Sequence, residues 1–459
     1  MISAFEQYFT SLKGKKIAVL GLGVSNRPLV RLLLEFGCDV VGCDRTPREK
    51  LEDEVLELEQ LGCALRVGDN YLDGVEADVL FRTPGMHPGN PAIQTLVAKG
   101  ARVTSEMEVF FEVCSCPVIA VTGSDGKTTT TSVIAEMLRA AGRTVWLGGN
   151  IGTPLLDQAD QMRPDHVAVL ELSSFQLMSM KKAPAVAVIT NLSPNHLDWH
   201  RDFEEYVEAK RNLFKQQGRE DVLVLNYDNL PSRELAEKAP GQVRFFSRES
   251  FALPGGVWLK NGELLDNGEA IMEVGDIRIP GMHNVENYMA ACAALRGIVP
   301  HAVMKQVARA FNGVEHRLEL VRELDGVKYY NDSIASSPSR TLAGIRCFPA
   351  DKIILIAGGY DKHIPFDELG AALPCGVRTV LLCGATADKI EAAIKAAPDY
   401  REGRPELARF DDLDDTVAYA RKIARPGDLV LLSPACASFD QFPNFAARGR
   451  YFKELVHKL

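Results

Sequence analysis

The stretch VIAVTGSDGKTTTT, residues 118–131, sets a glycine-rich turn between a β-branched run and a segment that opens with four threonines. N–H groups at the start of a helix have no intrahelical partner and the helix dipole adds partial positive charge, so such a turn suits a phosphate chain. Gly123, Ser124, Asp125 and Gly126 form the turn, Lys127 reaches for the outer phosphates, and the Thr128 hydroxyl is placed for magnesium. Val121 stands where the full G-x-x-x-x-G-K-[ST] pattern has its first glycine. A G-K-T between strand and helix is seldom found without phosphate, and ATP or another nucleoside triphosphate is the expected ligand.

Two further loops follow strand-like runs, where open α/β sheets place their ligands. VAVLELSSFQL is apolar until Glu171, an acid that suits magnesium facing the phosphate loop. AVAVITNLSPNHLDWH ends in a polar loop with His196 and Asp198; each of the two loops alone reads equally as capping or a surface loop, and it is their placement after strands of the phosphate loop's sheet that points to a site. In DFEEYVEAKRNLFKQQ the apolar positions Phe203, Val207 and Phe214 form a helical stripe on which Lys210 also falls, whereas Arg211 and Lys215 do not. A lysine on an inner face either snorkels to the rim or serves chemistry. Near the N-terminus, GLGVSN has Gly21 and Gly23 of a dinucleotide fingerprint but Asn26 in place of the third glycine. Asp44 has the spacing of a ribose-binding acid, and TPG at 83–85 is placed to close over a nucleotide diphosphate. NAD and a UDP-sugar both fit this segment.

The elements that must carry these loops alternate short β-branched runs with longer helical stretches, a pattern of parallel sheets covered on both faces. KKIAVLG, DVVGCD and ADVLFRT read as the first strands, with a helix over 26–36. PVIAVTG opens a second series, continued by VAVLELSS, AVAVITNLS and DVLVLN. Between 242 and 280 short segments broken by Gly, Asn and Asp predict antiparallel hairpins. VKYYNDS, KIILIAGG, VRTVLLCG and DLVLLSPA form a third series after Gly313. A length of 459 residues and these texture changes predict three domains, divided near 104 and 313.

Apolar residues make up 46% and charged residues 25%, the composition of ordinary globular cores. With net charge −9 and no long Lys/Arg run, nucleic acid is not an expected partner. No apolar run reaches the 18 or more residues of a membrane span, and MISAFEQYFTSLKGKK lacks the pattern of an export signal, so a cytoplasmic chain is expected. The ten cysteines include only one close pair, Cys114 and Cys116, and read as reduced thiols.

TGSDGKTTTT, ELSSFQL, NHLDWH, GMHNVEN, EHRLE, NDS and LLSPACASFDQF occur in the order and spacing seen in the Mur ligases, and the chain resembles that family over its whole length. GNIGTP and SPACASFDQFPNFAARG are most similar to its D-glutamate-adding branch. The resemblance implies an α/β chain of three domains. These are a Rossmann-like domain (1–104) for the UDP part of UDP-N-acetylmuramoyl-L-alanine, a central P-loop ATPase-like domain (105–313) with a mostly parallel sheet and a small added antiparallel sheet, and a Rossmann-like domain (314–459) for D-glutamate. It implies ATP and Mg2+, with Lys127, Thr128 and Thr129 on phosphates and metal, Glu171 and His196 as magnesium ligands, and Lys210 carbamylated by carbon dioxide. It places Asn284, Asn287, Arg317 and Asp332 at the nucleotide, and Val24, Ser25, Asp44, Arg45, Thr83, Asn150 and His196 at the UDP-muramoyl substrate. Ser336, Lys362, Ser438 and Phe445 match positions for D-glutamate, and a monomer is expected. Two positions depart from the family: Ile334 and Ser336 in NDSIASSP replace the Lys and Thr of many D-glutamate ligases, and Asn195 precedes His196 where Asp is common. A sibling ligase with another amino acid or one adding glutamate to folate, and from other classes a nicotinamide dehydrogenase suggested by GLGVSN and a non-enzymatic nucleotide-binding switch or scaffold, are the competing readings.

Overall fold

The computed structural model describes residues 2–249 and 255–459, so 250–254, within the expected hairpin region, lies outside the described residues. The described residues form three sheets. In the first, the buried strand Lys16–Leu20 lies between Asp39–Asp44 and Val79–Arg82, with Ala64–Val67 and Arg102–Thr104 at the edges, all in parallel. The helix after the first strand runs Asn26–Glu35 and buries Leu29, Val30, Leu32 and Leu33, the face that the apolar spacing predicts.

Among the described residues the second sheet has nine strands. At its centre Val118–Thr122 pairs in parallel with Val167–Glu171 on one side and Val186–Ile189 on the other. Val145–Gly149 forms one edge beyond Val167–Glu171, and Val222–Asn226 follows Val186–Ile189. Gln242–Ser247 is a parallel neighbour of Val222–Asn226, not the arm of a hairpin. Parallel neighbours require a crossover, which the helical turns Leu230–Arg233 and Glu234–Lys238 supply. Antiparallel pairing begins only with Val257–Lys260, Glu263–Asp266 and Glu269–Glu273, which extend the same sheet. The third sheet orders Glu319–Leu324, Val327–Asn331, Leu429–Leu432, Ile353–Ala357, Thr379–Cys383 and Glu406–Phe410, with only the first pair antiparallel.

The chain forms two compact units, Met1–Val274 with Glu286–Val307, and Gly275–Val285 with Ala308–Leu459. Within the first, one hydrophobic cluster joins residues of both sheets, from Phe9 and Leu33 to Phe110, Met162 and Leu170. Among the described residues no helix is long and apolar enough to cross a membrane.

Candidate active site

Three parallel strands, Val167–Glu171, Val118–Thr122 and Val186–Ile189, end at one edge of the central sheet, so the loops that follow them converge. The turn between Thr122 and helix Lys127–Ala140 depends on two glycines with φ of +148° and +79°. A Cβ on Gly123 would collide with Thr190 Oγ1, and one on Gly126 with Asn287 Oδ1. Asn191 holds the turn on both sides: its Oδ1 accepts from Asp125 N at 3.0 Å and its carbonyl accepts from Ser124 N at 2.9 Å. Ser124 Oγ meets Tyr206 Oη at 2.8 Å, and Thr130 Oγ1 donates to Asn287 Oδ1 at 3.2 Å. The turn is therefore held in place by its own hydrogen bonds. Lys127 Nζ donates to the carbonyls of Gly123 and Ser124 at 3.0 and 2.9 Å, which keeps its charge over the turn. Thr128 is half-buried and Thr129 buried in the first helical turn.

Glu171 ends its strand 2% exposed. Its Oε1 accepts from Asn150 Nδ2 at 2.8 Å, and Asn150 N donates to the Glu171 carbonyl at 2.7 Å. Its Oε2 is buried and finds no donor among the described residues. A buried carboxylate oxygen without a donor is costly unless a cation takes it, so this site fits a divalent metal held with the phosphates. His196 sits in the left-handed region at φ 55°, with Phe175 packed edge-on to its ring. Partial desolvation and the nearby Lys127 cation hold the imidazole below its ordinary range, leaving it neutral and able to ligate.

Lys210 is 1% exposed. Its helix, Phe203–Arg211, is capped by Asp202 and turns Tyr206, Ala209 and Lys210 inward. The amine donates to Thr122 Oγ1 at 3.0 Å and the Gly123 carbonyl at 2.9 Å, and lies 4.7 Å from the centre of the Tyr206 ring. Burial first, and the Lys127 charge second, drive its pKa well below the ordinary lysine value, against the opposing pull of Glu171. Of the two readings of this residue, snorkelling is excluded.

A second group of predicted residues gathers at the end of the first sheet. Gly21 takes φ 80°, and a Cβ there would press on Thr83 at 2.9 Å. Ser25 caps helix Asn26–Glu35 without a side-chain bond, and Val24 before it is 69% exposed. Asp44 accepts from Leu22 N at 2.8 Å and Thr46 N at 2.9 Å; burial opposes its charge, but these N–H donors outweigh it and hold the carboxyl below its usual range. Asp44 thus shapes the glycine turn, and exposed Arg45 follows it. The TPG turn is tied to the His196 loop, since Trp199 Nε1 donates to the Gly85 carbonyl at 3.0 Å and packs on His87.

The second compact unit holds the remaining residues. Asp332 is buried and accepts from Ser433 Oγ at 2.8 Å and Leu318 N at 3.2 Å; burial pushes its carboxyl up to about 7, with Arg317 among the groups that oppose the rise. Lys362 is exposed and reaches the Ser336 carbonyl at 3.5 Å. Ser438 is buried with an Oγ that finds no partner among the described residues, and Phe445, 39% exposed, opens helix Phe445–Lys458. Asn284 donates to the Pro280 carbonyl at 2.6 Å at the start of helix Met282–Leu295; Asn287, further along that helix, belongs to the first unit.

Sequence reasoning passed over several residues that build these sites. Tyr206 was legible as the position one turn before Lys210, but its bond to Ser124 spans 82 residues of chain. Asn191 had no motif to mark it. Arg448 is 4% exposed and donates to the carbonyls of Ser333, Cys436 and Ala437, fastening the loops around Asp332 and Ser438; its four-residue spacing from Asn444 hides that role.

Residues 121–295 match the family model of the Mur ligase middle domain, and residues 316–436 that of the Mur ligase glutamate ligase domain. The chain belongs to the Mur ligase family. It is 48% identical, over all of both chains, to the UDP-N-acetylmuramoylalanine--D-glutamate ligase of Acetivibrio thermocellus. It is 47% identical, again over both full lengths, to the enzyme of the same name from Clostridium botulinum strain Langeland. Among solved structures, UDP-N-acetylmuramate-alanine ligase MurC from Thermotoga maritima aligns with 97% of this chain and 99% of its own, at a TM-score of 0.57 and 18% identity, a likeness of fold.

Proposed function

We propose that this chain joins D-glutamate to UDP-N-acetylmuramoyl-L-alanine at the expense of ATP, as a step in peptidoglycan precursor synthesis. The choice of substrates rests on the two full-length relatives named as D-glutamate ligases. One observation carries the chemistry: the phosphate turn, the Glu171 oxygen that finds no donor among the described residues and the buried Lys210 gather at the ends of two paired strands. A carboxylate is a poor electrophile, and transfer of the ATP γ-phosphoryl group to the alanyl carboxylate gives an acyl phosphate that the D-glutamate amine can attack. That sequence gathers negative charge, which preorganised donors must meet.

The turn 123–126 and Lys127 bind and orient the phosphates, with the Thr128 and Thr129 hydroxyls beside them. Glu171, His196 and Thr128 would hold magnesium, which supplies charge neutralisation of the phosphoryl oxygens when bound. Lys210 is read as a carbamate: a neutral amine attacks carbon dioxide, a C–N bond forms and one proton leaves. Burial of the amine supports this, because the ammonium form is disfavoured at its position. The resulting anion would join Glu171 and His196 as a metal ligand, where the neutral amine offers no negative charge.

Domains 1–104, 105–313 and 314–459 are assigned to the UDP-muramoyl substrate, ATP and D-glutamate respectively. Val24, Ser25, Asp44, Arg45, Thr83, Asn150 and His196 are the proposed contacts of the first ligand, and Ser336, Lys362, Ser438 and Phe445 those of the last. For Asn284, Asn287, Arg317 and Asp332 a nucleotide role rests on the family resemblance. The chain is taken to act as a monomer without nucleic acid, and sedimentation at working concentration checks the first point.

The deciding assay is phosphate release with ATP and UDP-N-acetylmuramoyl-L-alanine against a panel of amino acids. Release with D-glutamate alone is expected. Equal or greater release with L-alanine, L-glutamate or a diamino acid would replace this reading by that of a sibling ligase.

A further inference from the structure

Three sulfur atoms meet where the chain passes from helix Glu106–Val113 to strand Val118–Thr122. Cys114 Sγ lies 3.5 Å from Cys116 Sγ and 3.7 Å from Met162 Sδ. The backbone explains the meeting. Cys114 ends the helix in an extended conformation, φ −64° and ψ 123°, and in extended chain residues two apart point to the same side. Cys116 and Met162 are buried and Cys114 is half-buried, with exposed Ser115 between the two cysteines. Ser115 Oγ donates to the Met162 carbonyl, which fastens the segment to the helical turn Leu156–Gln161.

We propose that Cys114 and Cys116 form a redox-active dithiol that closes to an intramolecular disulfide on reaction with a small-molecule disulfide. The two sulfurs need approach by only about 1.5 Å to reach bonding distance, and neither has to leave its side of the segment. Cys114 is the attacking group because it is the accessible one. A thiolate on Cys114 would accept the Cys116 S–H across the 3.5 Å contact, which favours a lowered Cys114 pKa and a raised Cys116 pKa. In the first step the Cys114 thiolate bonds to one sulfur of the reagent, the reagent's S–S bond breaks, and the departing thiolate takes the proton that Cys114 gave up. Cys116 then loses its proton and attacks Cys114 Sγ, expelling the second half of the reagent, which leaves as a thiol with that proton. Two protein thiols are oxidised and one reagent disulfide is reduced to two thiols. Cys375, exposed on helix Asp367–Gly376, provides a comparison within the same chain.

The test incubates the full chain with glutathione disulfide, blocks remaining thiols with iodoacetamide, and reads each cysteine by mass spectrometry after digestion. The expected result is a 114–116 peptide that has lost both alkylatable thiols and two hydrogens and carries no glutathione, while Cys375 stops at the glutathione adduct. Cys116→Ser removes the resolving thiol, so the adduct should persist on Cys114. The proposal is overturned if Cys114 and Cys116 are both alkylated when Cys375 is already modified. It is equally overturned if the wild-type chain retains glutathione on Cys114 as completely as Cys116→Ser does.

Discussion

At the scale of single residues, three lysines with different surroundings are assigned different work. Lys127 lies over the phosphate turn with its amine on the carbonyls of Gly123 and Ser124. Lys127→Ala should cut ATP-dependent phosphate release by about 100-fold or more, the scale of losing one preorganised charge at a transition state. Calorimetry should find the affinity for the UDP-substrate nearly unchanged; equal loss of both affinities would count against the assignment. Lys210 is buried and its amine is driven toward the neutral form, so Lys210→Ala should nearly abolish turnover and acetate should restore part of it by standing in for the carbamate. Near-normal turnover of this variant at limiting magnesium would rule the carbamate out. Lys362 is exposed in the second unit, and as the partner of a substrate carboxylate its loss removes a charge-assisted hydrogen bond. Lys362→Ala should raise the D-glutamate KM roughly tenfold or more while the ATP KM stays put, and an unchanged D-glutamate dependence removes Lys362 from that pocket.

At the scale of elements, the phosphate turn shows how a helix start becomes a site only when its neighbours leave room. Gly126 combines a left-handed φ with a Cβ position that Asn287 already fills, so Gly126→Ala strains the backbone and displaces the amide that accepts from Thr130. The expected outcome is a loss of ATP affinity of about tenfold or more with a smaller loss of overall stability, read by nucleotide titration beside thermal unfolding. Wild-type nucleotide affinity in this variant would show that the turn is not the phosphate cradle. The same edge explains the reach of Tyr206, whose hydroxyl supports Ser124 while its ring lies beside Lys210.

At the scale of the molecule, the first and central sheets share a hydrophobic cluster, and the helix between them carries a buried acid. Burial pushes the Glu106 carboxyl up to about 7, against the Leu156 N–H that favours its charge. Below the ordinary carboxylate range both folded and unfolded chains hold this proton, and the group has no effect. Between about 4.5 and about 7 the unfolded chain releases the proton while the folded chain keeps it, so stability falls as pH rises, and above about 7 the full penalty stands. Glu106→Gln keeps an acceptor for Leu156 without the charge. It should stabilise the protein at pH 8 by an amount on the order of 3 kcal/mol and by much less at pH 5. Denaturant unfolding at the two pH values checks this, and an equal or larger gain at pH 5 contradicts it.

The sequence by itself determined the strand and helix pattern, the phosphate turn and the family, because these depend on local chemistry: β-branched runs, a G-K-T before a helix, and ordered motifs. It also put Lys210 on an inward stripe. It did not determine that Gln242–Ser247 would pair in parallel, since Gly and Asn breaks look alike before a hairpin and after a crossover. Nor did it reveal that both Asp44 oxygens hold backbone N–H groups, because a loop acid bound to its own turn and one free for a ribose have the same spacing. Tertiary structure alone decided the burial of Lys210, the Glu171 oxygen left without a donor among the described residues and the meeting of Tyr206 with Ser124. Those contacts join segments tens of residues apart, and a side chain's pKa and partners are set by what the fold packs against it.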